Sequence, residues 1–495
     1  MQLQSTISAV RFVLDGEEIV LSDVGPTRTV LQFLREDIRR TGTKEGCAEG
    51  DCGACTVVLA ELNESGRSLR YRAVNSCIQF VPVLDGKALI TVESLAAADG
   101  RLHPVQRAMV ECHGSQCGFC TPGFVMSLFA LYKTNSNPSR SDVDDALAGN
   151  LCRCTGYRPI VEAAQKMNSL GADTDRYADD DHLTELLGTL QRQQPLVLER
   201  DGARYFSPTN LDDLSALLQQ HPDAYILAGG TDIGLWVTKQ HRDLDTLIYI
   251  GNVEELRRVD ATASHIEIGA AVSLTDAIPV LIQHYPDLEE LFLRFASPPI
   301  RNAATLGGNI ANGSPIGDSM PALIALGTSV VLHGRDGTRE LALEDFYLDY
   351  QSTERRSDEV VAFIRVPMPQ RDTHVRSYKI SKRFDQDISA VCGAYRLQLE
   401  GGKVHDIKIA YGGVAVTPKR AKACEQILVG RDWTESSVQV AMDAMEDDYA
   451  PITDMRASVE YRLSVSKNLL YRFYLESTGH PGVDSVYRYG RHDER

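Results

Sequence analysis

The chain has 495 residues, with 51 Lys and Arg against 68 Asp and Glu, which gives a formal net charge of −17. At about 100–200 residues per domain, this length predicts three or four domains. An acidic chain without a basic stripe is a poor binder of nucleic acid or anionic membranes. Because we find no signal peptide and no apolar run of about 18 residues, we expect a cytoplasmic protein.

Residues 1–95 are predicted to form a small α+β domain. The Asp15-Gly16 pair between alternating apolar residues predicts a β-hairpin, and a helix is expected over residues 29–35. A glycine-rich loop then leads into β-rich residues 56–59. Further strands are expected near residues 69–74 and 88–92.

Residues 96–171 are predicted to be helical. Thr121 is expected to be an N-cap followed by Pro122, and Ser141 with Asp144 to form a capping-box-like start. Another helix begins at Arg158 and ends near Gly171. The acidic and Gln-rich residues that follow, 172–196, are predicted to be a mobile linker.

Residues 197–370 alternate between helix and strand and contain two glycine pairs. A final α+β segment covers residues 371–485, with strands around residues 376–414 and helices from Pro418 and from Arg456. Residues 486–495 are expected to form a tail.

Nine of the eleven cysteines lie between Cys47 and Cys154, and this clustering indicates metal-binding thiolates rather than disulfides. Four of them follow the C-x₄-C-x₂-C…C spacing of plant-type [2Fe–2S] ferredoxins, with Cys77 as the distant member. Small residues in the loop would let backbone N–H groups point at the cluster. Four thiolates also satisfy a structural zinc ion, which is the alternative.

The second cysteine set consists of two short pairs, each placed just before a helix that is opened by proline. Two such helix starts facing one another would direct positive dipole ends at an anionic cluster. The Cys152-x-Cys154 spacing is too tight for an ordinary zinc knuckle. Cys112 is left over and is expected to be a spare or buried thiol.

Three stretches around these cysteines, Glu49–Thr56, Gln116–Gly123 and Gly149–Tyr157, resemble the xanthine dehydrogenase/oxidase family of molybdenum hydroxylases. The resemblance implies a multidomain α+β protein that begins with a β-grasp [2Fe–2S] ferredoxin domain (1–95) and a four-helix [2Fe–2S] domain (96–171). The implied metal ligands are Cys47, Cys52, Cys55, Cys77, Cys117, Cys120, Cys152 and Cys154.

The glycine pairs are not a Rossmann fingerprint, because no G-x-G occurs in the chain. Taken alone, they are more typical of turns than of a phosphate loop. The resemblance implies a vanillyl-alcohol-oxidase-like FAD domain (197–370) and an α+β C-terminal flavoprotein domain (371–485). The implied FAD-binding residues are Leu227, Ala228, Gly229, Gly230, Thr231, Asp232, Ile233, Phe295, Thr305, Gly307, Gly308, Asn309, Asp318 and Lys379.

The resemblance also assigns roles to these residues. Residues 227–233 would hold the pyrophosphate and residues 305–309 would form the second phosphate loop. Asp318 would anchor the adenosine side, Phe295 would pack on the isoalloxazine, and Lys379 would reach the pyrimidine edge of the flavin. The loop Lys382–Ile388 resembles one linked to NAD access, with a plain solvated charge run as the alternative.

Nothing in the chain corresponds to the molybdenum domain of the family's longer members, so the resemblance implies an electron-transfer subunit. Molybdopterin would lie on a large partner subunit, in an (αβ)₂ heterotetramer. Electrons from purine oxidation would pass through two [2Fe–2S] clusters to FAD and then to NAD⁺, the co-substrate. The alternatives are the same relay in an aldehyde or N-heterocycle oxidoreductase, and a non-enzymatic assembly or redox-sensing protein. No catalytic side chain is expected on this chain.

Overall fold

The computed structural model describes residues 8–480, so the predicted tail and residues 481–485 of the predicted last domain lie outside the described residues. The strands are β1 (Val10–Leu14), β2 (Glu17–Leu21), β3 (Thr56–Leu62), β4 (Leu69–Asn75), β5 (Ala88–Ile90), β6 (Leu196–Arg200), β7 (Ala203–Ser207), β8 (Tyr225–Leu227), β9 (Thr246–Tyr249), β10 (Val259–Ala261), β11 (His265–Gly269), β12 (Ser329–Gly334), β13 (Gly337–Ala342), β14 (Tyr347–Asp349), β15 (Ser352–Thr353), β16 (Val360–Pro367), β17 (Thr373–Ile380), β18 (Val391–Glu400), β19 (Lys403–Gly412) and β20 (Lys419–Arg420).

The α-helices are α1 (Val30–Gln32), α2 (Pro104–Glu111), α3 (Thr121–Thr134), α4 (Arg140–Leu147), α5 (Arg158–Met167), α6 (Asp181–Leu190), α7 (Leu211–Gln220), α8 (Ile233–Thr238), α9 (Leu274–His284), α10 (Glu289–Leu293), α11 (Pro298–Ala303), α12 (Leu306–Asn312), α13 (Ser319–Leu326), α14 (Leu343–Phe346), α15 (Lys422–Leu428), α16 (Glu435–Asp443), α17 (Met445–Asp448) and α18 (Val459–Ser477).

The described chain divides into two compact units. The first contains residues 8–255, 273–275 and 297–305; the second contains residues 256–272, 276–296 and 306–480. Residues 197–370, predicted as one FAD domain, are therefore shared between the two units.

The first unit begins with a five-stranded sheet in the order β2-β1-β5-β3-β4, in which β1 runs parallel to β5. The predicted hairpin is confirmed: Asp15 and Gly16 both have positive φ angles, as a tight two-residue turn requires. The predicted helix starts at a capping box on Thr29, but α1 is short and continues as a π-helical turn, Phe33–Asp37. This arrangement is the predicted β-grasp architecture.

Four helices, α2–α5, form the predicted helical domain, whose core includes the fully buried Phe124, Phe129 and Ile160. Two predicted caps are wrong by one or two residues. Cys120, not Thr121, is the N-cap of α3, because the helix already includes Thr121. Ser139 and Asp142, not Ser141 and Asp144, form the capping box of α4. The Ser139 hydroxyl accepts a hydrogen bond from the amide of Asp142, which is the third residue of the helix.

The interpretation of residues 172–196 as a mobile linker is wrong. They contain α6, and Leu183, Leu187 and Leu190 on one of its faces are buried in the core of the helical domain. The acidic run misled the prediction because several of its carboxylates bind specific partners. Asp180 accepts a hydrogen bond of 2.5 Å from the Tyr71 hydroxyl and lies 3.1 Å from the Lys133 ammonium.

The first unit is completed by a four-stranded sheet in the order β6-β7-β9-β8 with α7, whose N-cap is Asn210. This sheet shares a hydrophobic core with the β-grasp sheet, in which Phe12 and Phe80 lie with Tyr205 and Leu247. The shared core places the turn after β8 within the same unit as the cysteine loops.

The second unit contains a five-stranded sheet, β10-β11-β16-β12-β13, and a four-stranded sheet, β17-β18-β19-β20. The helix predicted from Pro418 is preceded by β20 and begins at Lys422. The helix predicted from Arg456 begins at Val459, because the Ser458 hydroxyl caps it. Across residues 8–480, no helix is both long and apolar enough to span a membrane.

Candidate cofactor-binding site

The first four predicted ligands are brought together in the first unit. Cys55 and Cys77 are buried, and Cys47 and Cys52 are half-buried. The loop between them wraps tightly because Ala48, Gly50 and Gly53 have positive φ angles. This places Cys55 at the start of β3 and Cys77 just beyond the end of β4, two strands that pair in register.

Backbone N–H groups of this loop point at sulfur, as the sequence predicted. The amides of Glu49, Asp51 and Cys52 donate to Cys47 Sγ over 3.3–3.4 Å, and the Cys47 amide donates to Cys52 Sγ over 3.3 Å. A Cβ at Gly46 would lie 2.7 Å from Cys52 Sγ, so the loop has no room for a side chain there. This cradle of amides and small residues fits an anionic iron–sulfur cluster.

The second set is assembled at the surface of the helical domain. Cys117 and Cys154 are exposed, and Cys120 and Cys152 are half-buried. Thr155 donates its backbone N–H to Cys152 Sγ over 3.4 Å. The four thiols come from the segments that precede α3 and α5, as the predicted pairs of cysteines before helix starts require.

Each thiol contacts at least one other thiol of its own set: Cys47 contacts Cys52 and Cys77, Cys55 contacts Cys77, Cys117 contacts Cys154, and Cys120 contacts Cys152. Within residues 8–480, no three His, Cys, Asp or Glu side chains are grouped so that they could all hold one metal ion. Two groups of four thiols in mutual contact fit two [2Fe–2S] clusters, since each such cluster takes four Cys thiolates.

The environment of the thiols differs within each set. Hydrogen bonding with the Cys52 and Cys77 thiols lowers the pKa of Cys47, so the set readily holds a thiolate. The amide of Phe119 lowers the pKa of Cys117, whereas burial raises the pKa of Cys120 to about 12.

The two cysteine sets are joined by direct hydrogen bonds. Leu151, beside the predicted ligand Cys152, donates its amide to the carbonyl of Cys52 over 3.0 Å. Asn150 is 2% exposed and donates its side-chain amide to the carbonyl of Gly53 over 3.2 Å. The backbones approach so closely that a Cβ at Gly53 would collide with the Gly149 carbonyl.

A second junction joins the first cysteine set to the predicted pyrophosphate loop. Gln79, two residues after Cys77, donates its side-chain amide to the carbonyl of Gly229 over 3.0 Å. A Cβ at Gly234 would lie 2.8 Å from the Ile78 carbonyl, so the backbones also meet closely here. The chain segment that carries a predicted cluster ligand therefore touches the loop predicted to hold FAD.

The pyrophosphate loop follows β8 and precedes α8. Residues 228–233 are only half-buried, so their backbone is accessible to a ligand. Gly229 cannot carry a side chain, because a Cβ would collide with the Ala303 carbonyl, and Gly230 has a φ of 72°. Such a side-chain-free turn fits a pyrophosphate. Thr305, which also belongs to the first unit, is 6% exposed.

The other predicted FAD residues lie in the second unit. A Cβ at Gly307 would collide with Ala270, which keeps this turn closely packed, and Gly308 follows it in α12. Asn309 accepts a hydrogen bond of 2.5 Å from Ser319 Oγ. Phe295 is half-buried and precedes Ala296, which has a positive φ angle.

Asp318 and Lys379 form one buried ion pair. Lys379 Nζ lies 2.5 Å from Asp318 Oδ2 and also donates to the carbonyl of Asp387 and to Ser389 Oγ, so its three N–H groups all have protein partners. The predictions placed Asp318 at the adenosine side and Lys379 at the pyrimidine edge. Those ends of an FAD molecule are well separated, so this pair can serve only one of them.

The loop Lys382–Ile388 is largely exposed, but specific contacts anchor it. The Arg294 guanidinium lies 4.5 Å from the centre of the Phe384 ring and donates Nε–H to the Phe384 carbonyl over 2.9 Å. Arg383 donates its amide to Asp387 over 2.9 Å. This anchorage ties the loop to the segment that leads into Phe295.

Sequence reasoning missed Asn150 and Gln79. Both lie near assigned cysteines, but only the fold shows what their side chains contact. Asn150 reaches Gly53, 97 residues away in the chain, and Gln79 reaches Gly229, 150 residues away. The available signal was their position, since Asn150 lies within the Gly149–Tyr157 motif and Gln79 is two residues after Cys77.

Comparison with known families matches four consecutive segments. Residues 12–81 match the 2Fe-2S iron-sulfur cluster binding domain, and residues 91–165 match the [2Fe-2S] binding domain. Residues 200–369 match the FAD binding domain in molybdopterin dehydrogenase, and residues 376–477 match the CO dehydrogenase flavoprotein C-terminal domain.

Individual relatives agree with these matches. The chain is 33% identical to the xanthine dehydrogenase of Emericella nidulans over 94% of its own length, and 30% identical to the aldehyde oxidase 1 of Bos taurus over 95%. It spans only 38% and 39% of the lengths of these two relatives. A solved chain of the carbon monoxide dehydrogenase of Hydrogenophaga pseudoflava is similar with a TM-score of 0.52 and 32% identity, covering 54% of this chain and 94% of that one.

Proposed function

The chain belongs to the molybdenum hydroxylase family, and we propose that within it the chain is the small subunit of a bacterial xanthine dehydrogenase. In this role it relays electrons from hypoxanthine or xanthine, oxidised at the molybdopterin of a large partner subunit, through two [2Fe–2S] clusters to FAD and on to NAD⁺. The iron–sulfur and flavin parts of an electron relay are carried by its family domains.

The observation that carries this proposal is the pair of junctions in the first unit. The Leu151 amide bonds to the Cys52 carbonyl, and the Gln79 side chain bonds to the Gly229 carbonyl. Together they connect the helical cysteine set, the β-grasp cysteine set and the pyrophosphate loop in that order. A relay requires its carriers to be held in such a series.

The surface of the helical domain supports docking of the partner subunit at the start of the series. Cys117 and Cys154 are exposed, and the apolar side chains of Phe119 and Leu151 beside them are 49% and 46% exposed. Exposed apolar side chains grouped around a functional site are typical of an interaction surface. An electron donor seated here would meet the second cysteine set first.

The bound groups would supply the redox chemistry: the clusters carry single electrons, and the flavin accepts them singly and releases them in pairs. The chain supplies the positions. The eight cysteine thiolates would ligate the irons, loop amides would stabilise the negative charge at Cys47, and the loop at residues 227–233 would bind the pyrophosphate of FAD.

We also propose the domain limits 1–95, 96–171, 197–370 and 371–485, with residues 172–196 packed on the helical domain. A cytoplasmic location and an (αβ)₂ assembly complete the proposal.

The second candidate is the same relay serving an aldehyde or N-heterocycle oxidoreductase, which is favoured by the nearly equal similarity of the chain to a xanthine dehydrogenase and an aldehyde oxidase.

The test is to co-purify the chain with its molybdopterin-binding subunit and to measure NADH formation with xanthine, with an aldehyde and with an N-heterocycle such as quinoline. We expect xanthine-dependent NADH formation. Turnover of only the aldehyde or of only the other heterocycle would establish the second candidate. Xanthine oxidation that reduces an artificial dye but never NAD⁺ would contradict the final step.

A further inference from the structure

The contact between the two cysteine sets is organised around a single side chain, that of Asn150. Its amide N–H groups point at the carbonyl of Gly53 and at Thr56 Oγ1, both at 3.2 Å. Its carbonyl oxygen accepts a hydrogen bond of 2.6 Å from Ser127 Oγ on α3. Asn150 thus joins three segments, each of which carries or adjoins cluster ligands.

The position of Asn150 in the chain makes this contact specific. Gly53 lies between the ligands Cys52 and Cys55, and Asn150 lies two residues before Cys152. Ser127 is on α3, whose N-cap is the ligand Cys120. The Asn150 side chain therefore links the ligand loop of the β-grasp domain to α3, which follows one cysteine pair of the helical domain, and Asn150 itself precedes the other pair.

The site around Asn150 cannot relax easily if the amide is lost. Asn150, Ser127 and Thr56 are each 1–2% exposed, so their polar atoms depend on one another for hydrogen bonds. Removing the Asn150 side chain leaves the Gly53 carbonyl with donors from Thr56 only, its amide and its hydroxyl, and leaves Ser127 Oγ without the Asn150 acceptor. The Leu151–Cys52 bond then remains as a polar contact between the two ligand loops.

We propose that Asn150 is a positioning residue that fixes the separation of the two cysteine sets, and with it the electron transfer between the clusters they would hold. That step would be a one-electron exchange in which one bound cluster is oxidised as the other is reduced, with no bond formed or broken. Because the electronic coupling between two sites falls steeply with distance, a residue that sets their separation acts on this step without touching the irons. The inference rests on the proposed relay.

The experiment uses the full chain carrying its clusters, reduced with dithionite and examined by low-temperature electron paramagnetic resonance. Two reduced clusters held close together split or broaden each other's signals. The variants are Asn150→Ala and Ser127→Ala, and the matched control is Asn168→Ala. Asn168 lies in the same domain and also donates its amide to a carbonyl, that of Ser136, but far along the chain from the ligands.

We expect Asn150→Ala to lose the magnetic interaction while iron per chain stays at the wild-type value. Ser127→Ala, which leaves the amide in place but removes its hydrogen-bond donor, should reduce the interaction in part. Asn168→Ala should leave it unchanged. If Asn150→Ala does not retain its clusters, the Ser127→Ala result decides.

An interaction that persists in full in Asn150→Ala, or in Ser127→Ala where that variant decides, would overturn the inference and leave Asn150 a purely structural residue. Failure of the proposed relay, on which this inference rests, looks different. The wild-type chain itself would then lack two iron–sulfur signals, whatever stands at position 150.

Discussion

At the scale of single residues, the eight assigned cysteines differ from the other thiols in their surroundings. Each of them contacts a second cysteine of its own set. Cys392 and Cys424 are buried in the second unit, and Cys112 is half-buried at the end of α2. The division of these cysteines into two sets could be predicted from their spacing, because most members of each set lie within a few residues of another member.

The first prediction compares two cysteines of the helical domain. Cys117→Ser should lower the iron content from about four to about two per chain, because one of two [2Fe–2S] clusters loses a thiolate. Cys112→Ser should leave about four irons, since Cys112 belongs to neither set. Iron analysis of the two purified variants checks this. A loss of iron in Cys112→Ser would show that the assignment of ligands is wrong.

The second prediction concerns the buried pair of Asp318 and Lys379, whose side chains are 3% and 2% exposed. Lys379→Met leaves a buried carboxylate without its cation and should cost about 3–5 kcal/mol of unfolding free energy. The double variant Lys379→Met/Asp318→Asn removes both charges and should recover most of that loss. Urea unfolding followed by circular dichroism measures both, and equal losses in the two variants would argue against a charge effect.

The roles given to this pair show a limit of inference by resemblance. Matching positions in a motif assigned Asp318 and Lys379 to opposite ends of FAD. The residues are 61 apart in the chain, so only the fold, in which α13 packs on β18 and β19 of the sheet that contains β17, reveals that they touch. Sequence spacing carries no information on such a contact.

At the scale of secondary-structure elements, several helices and the first hairpin were predictable, but the segment that links the helical domain to the next sheet was not. Hairpin β1–β2 and helices α3 and α5 follow from turn residues, prolines and caps that act over a few neighbouring residues. Helix α6 was missed because its acidic surroundings are typical of solvated linkers. The carboxylates of Asp175 and Asp180 have partners at His103 and Tyr71, which are distant in sequence.

The third prediction tests the packing of α6. Leu187 is fully buried, so Leu187→Ala should lower the free energy of unfolding by about 2–5 kcal/mol. Glu185→Ala, on the exposed face of the same helix, is the control and should change it by less than about 0.5 kcal/mol. Equal, small effects in both variants would mean that residues 181–190 are a solvated connector after all.

The fourth prediction uses the contact of Asp175 with His103, whose atoms Oδ1 and Nε2 lie 3.2 Å apart. Burial acts to raise the pKa of Asp175, but the contacts with His103 and with the Tyr177 amide outweigh it, and the pKa is lowered. A lowered carboxyl pKa stabilises the fold above the unfolded value near 3.8, and this stabilisation is lost as the pH falls through the folded value.

The stability advantage of the wild type over Asp175→Asn should therefore be constant above about pH 5 and shrink below about pH 4. Urea unfolding of both proteins at a series of pH values measures this difference. Asp173→Asn is the control, because the Asp173 side chain is 65% exposed and its pair with Arg101 is solvated. A difference between the wild type and Asp175→Asn that does not depend on pH would contradict the role of the ionised carboxylate.

At the scale of the whole molecule, the family domains follow one another along the chain, and the first unit brings three of the predicted cofactor-binding segments into contact. The domain series was predictable because three motifs with specific spacing lie in the expected order. The junctions at Asn150 and Gln79 were not, because each depends on how two domains pack. These junctions hold the predicted cofactor-binding segments next to one another, as an electron relay requires.

The central claim is that this single chain holds two one-electron carriers and one two-electron carrier. The most direct test is an anaerobic reductive titration of the purified chain, with the electrons taken up counted from the absorbance changes. We predict about four electrons per chain, one for each of two [2Fe–2S] clusters and two for one FAD. Uptake of no electrons, with zinc in place of iron and no flavin, would contradict the account.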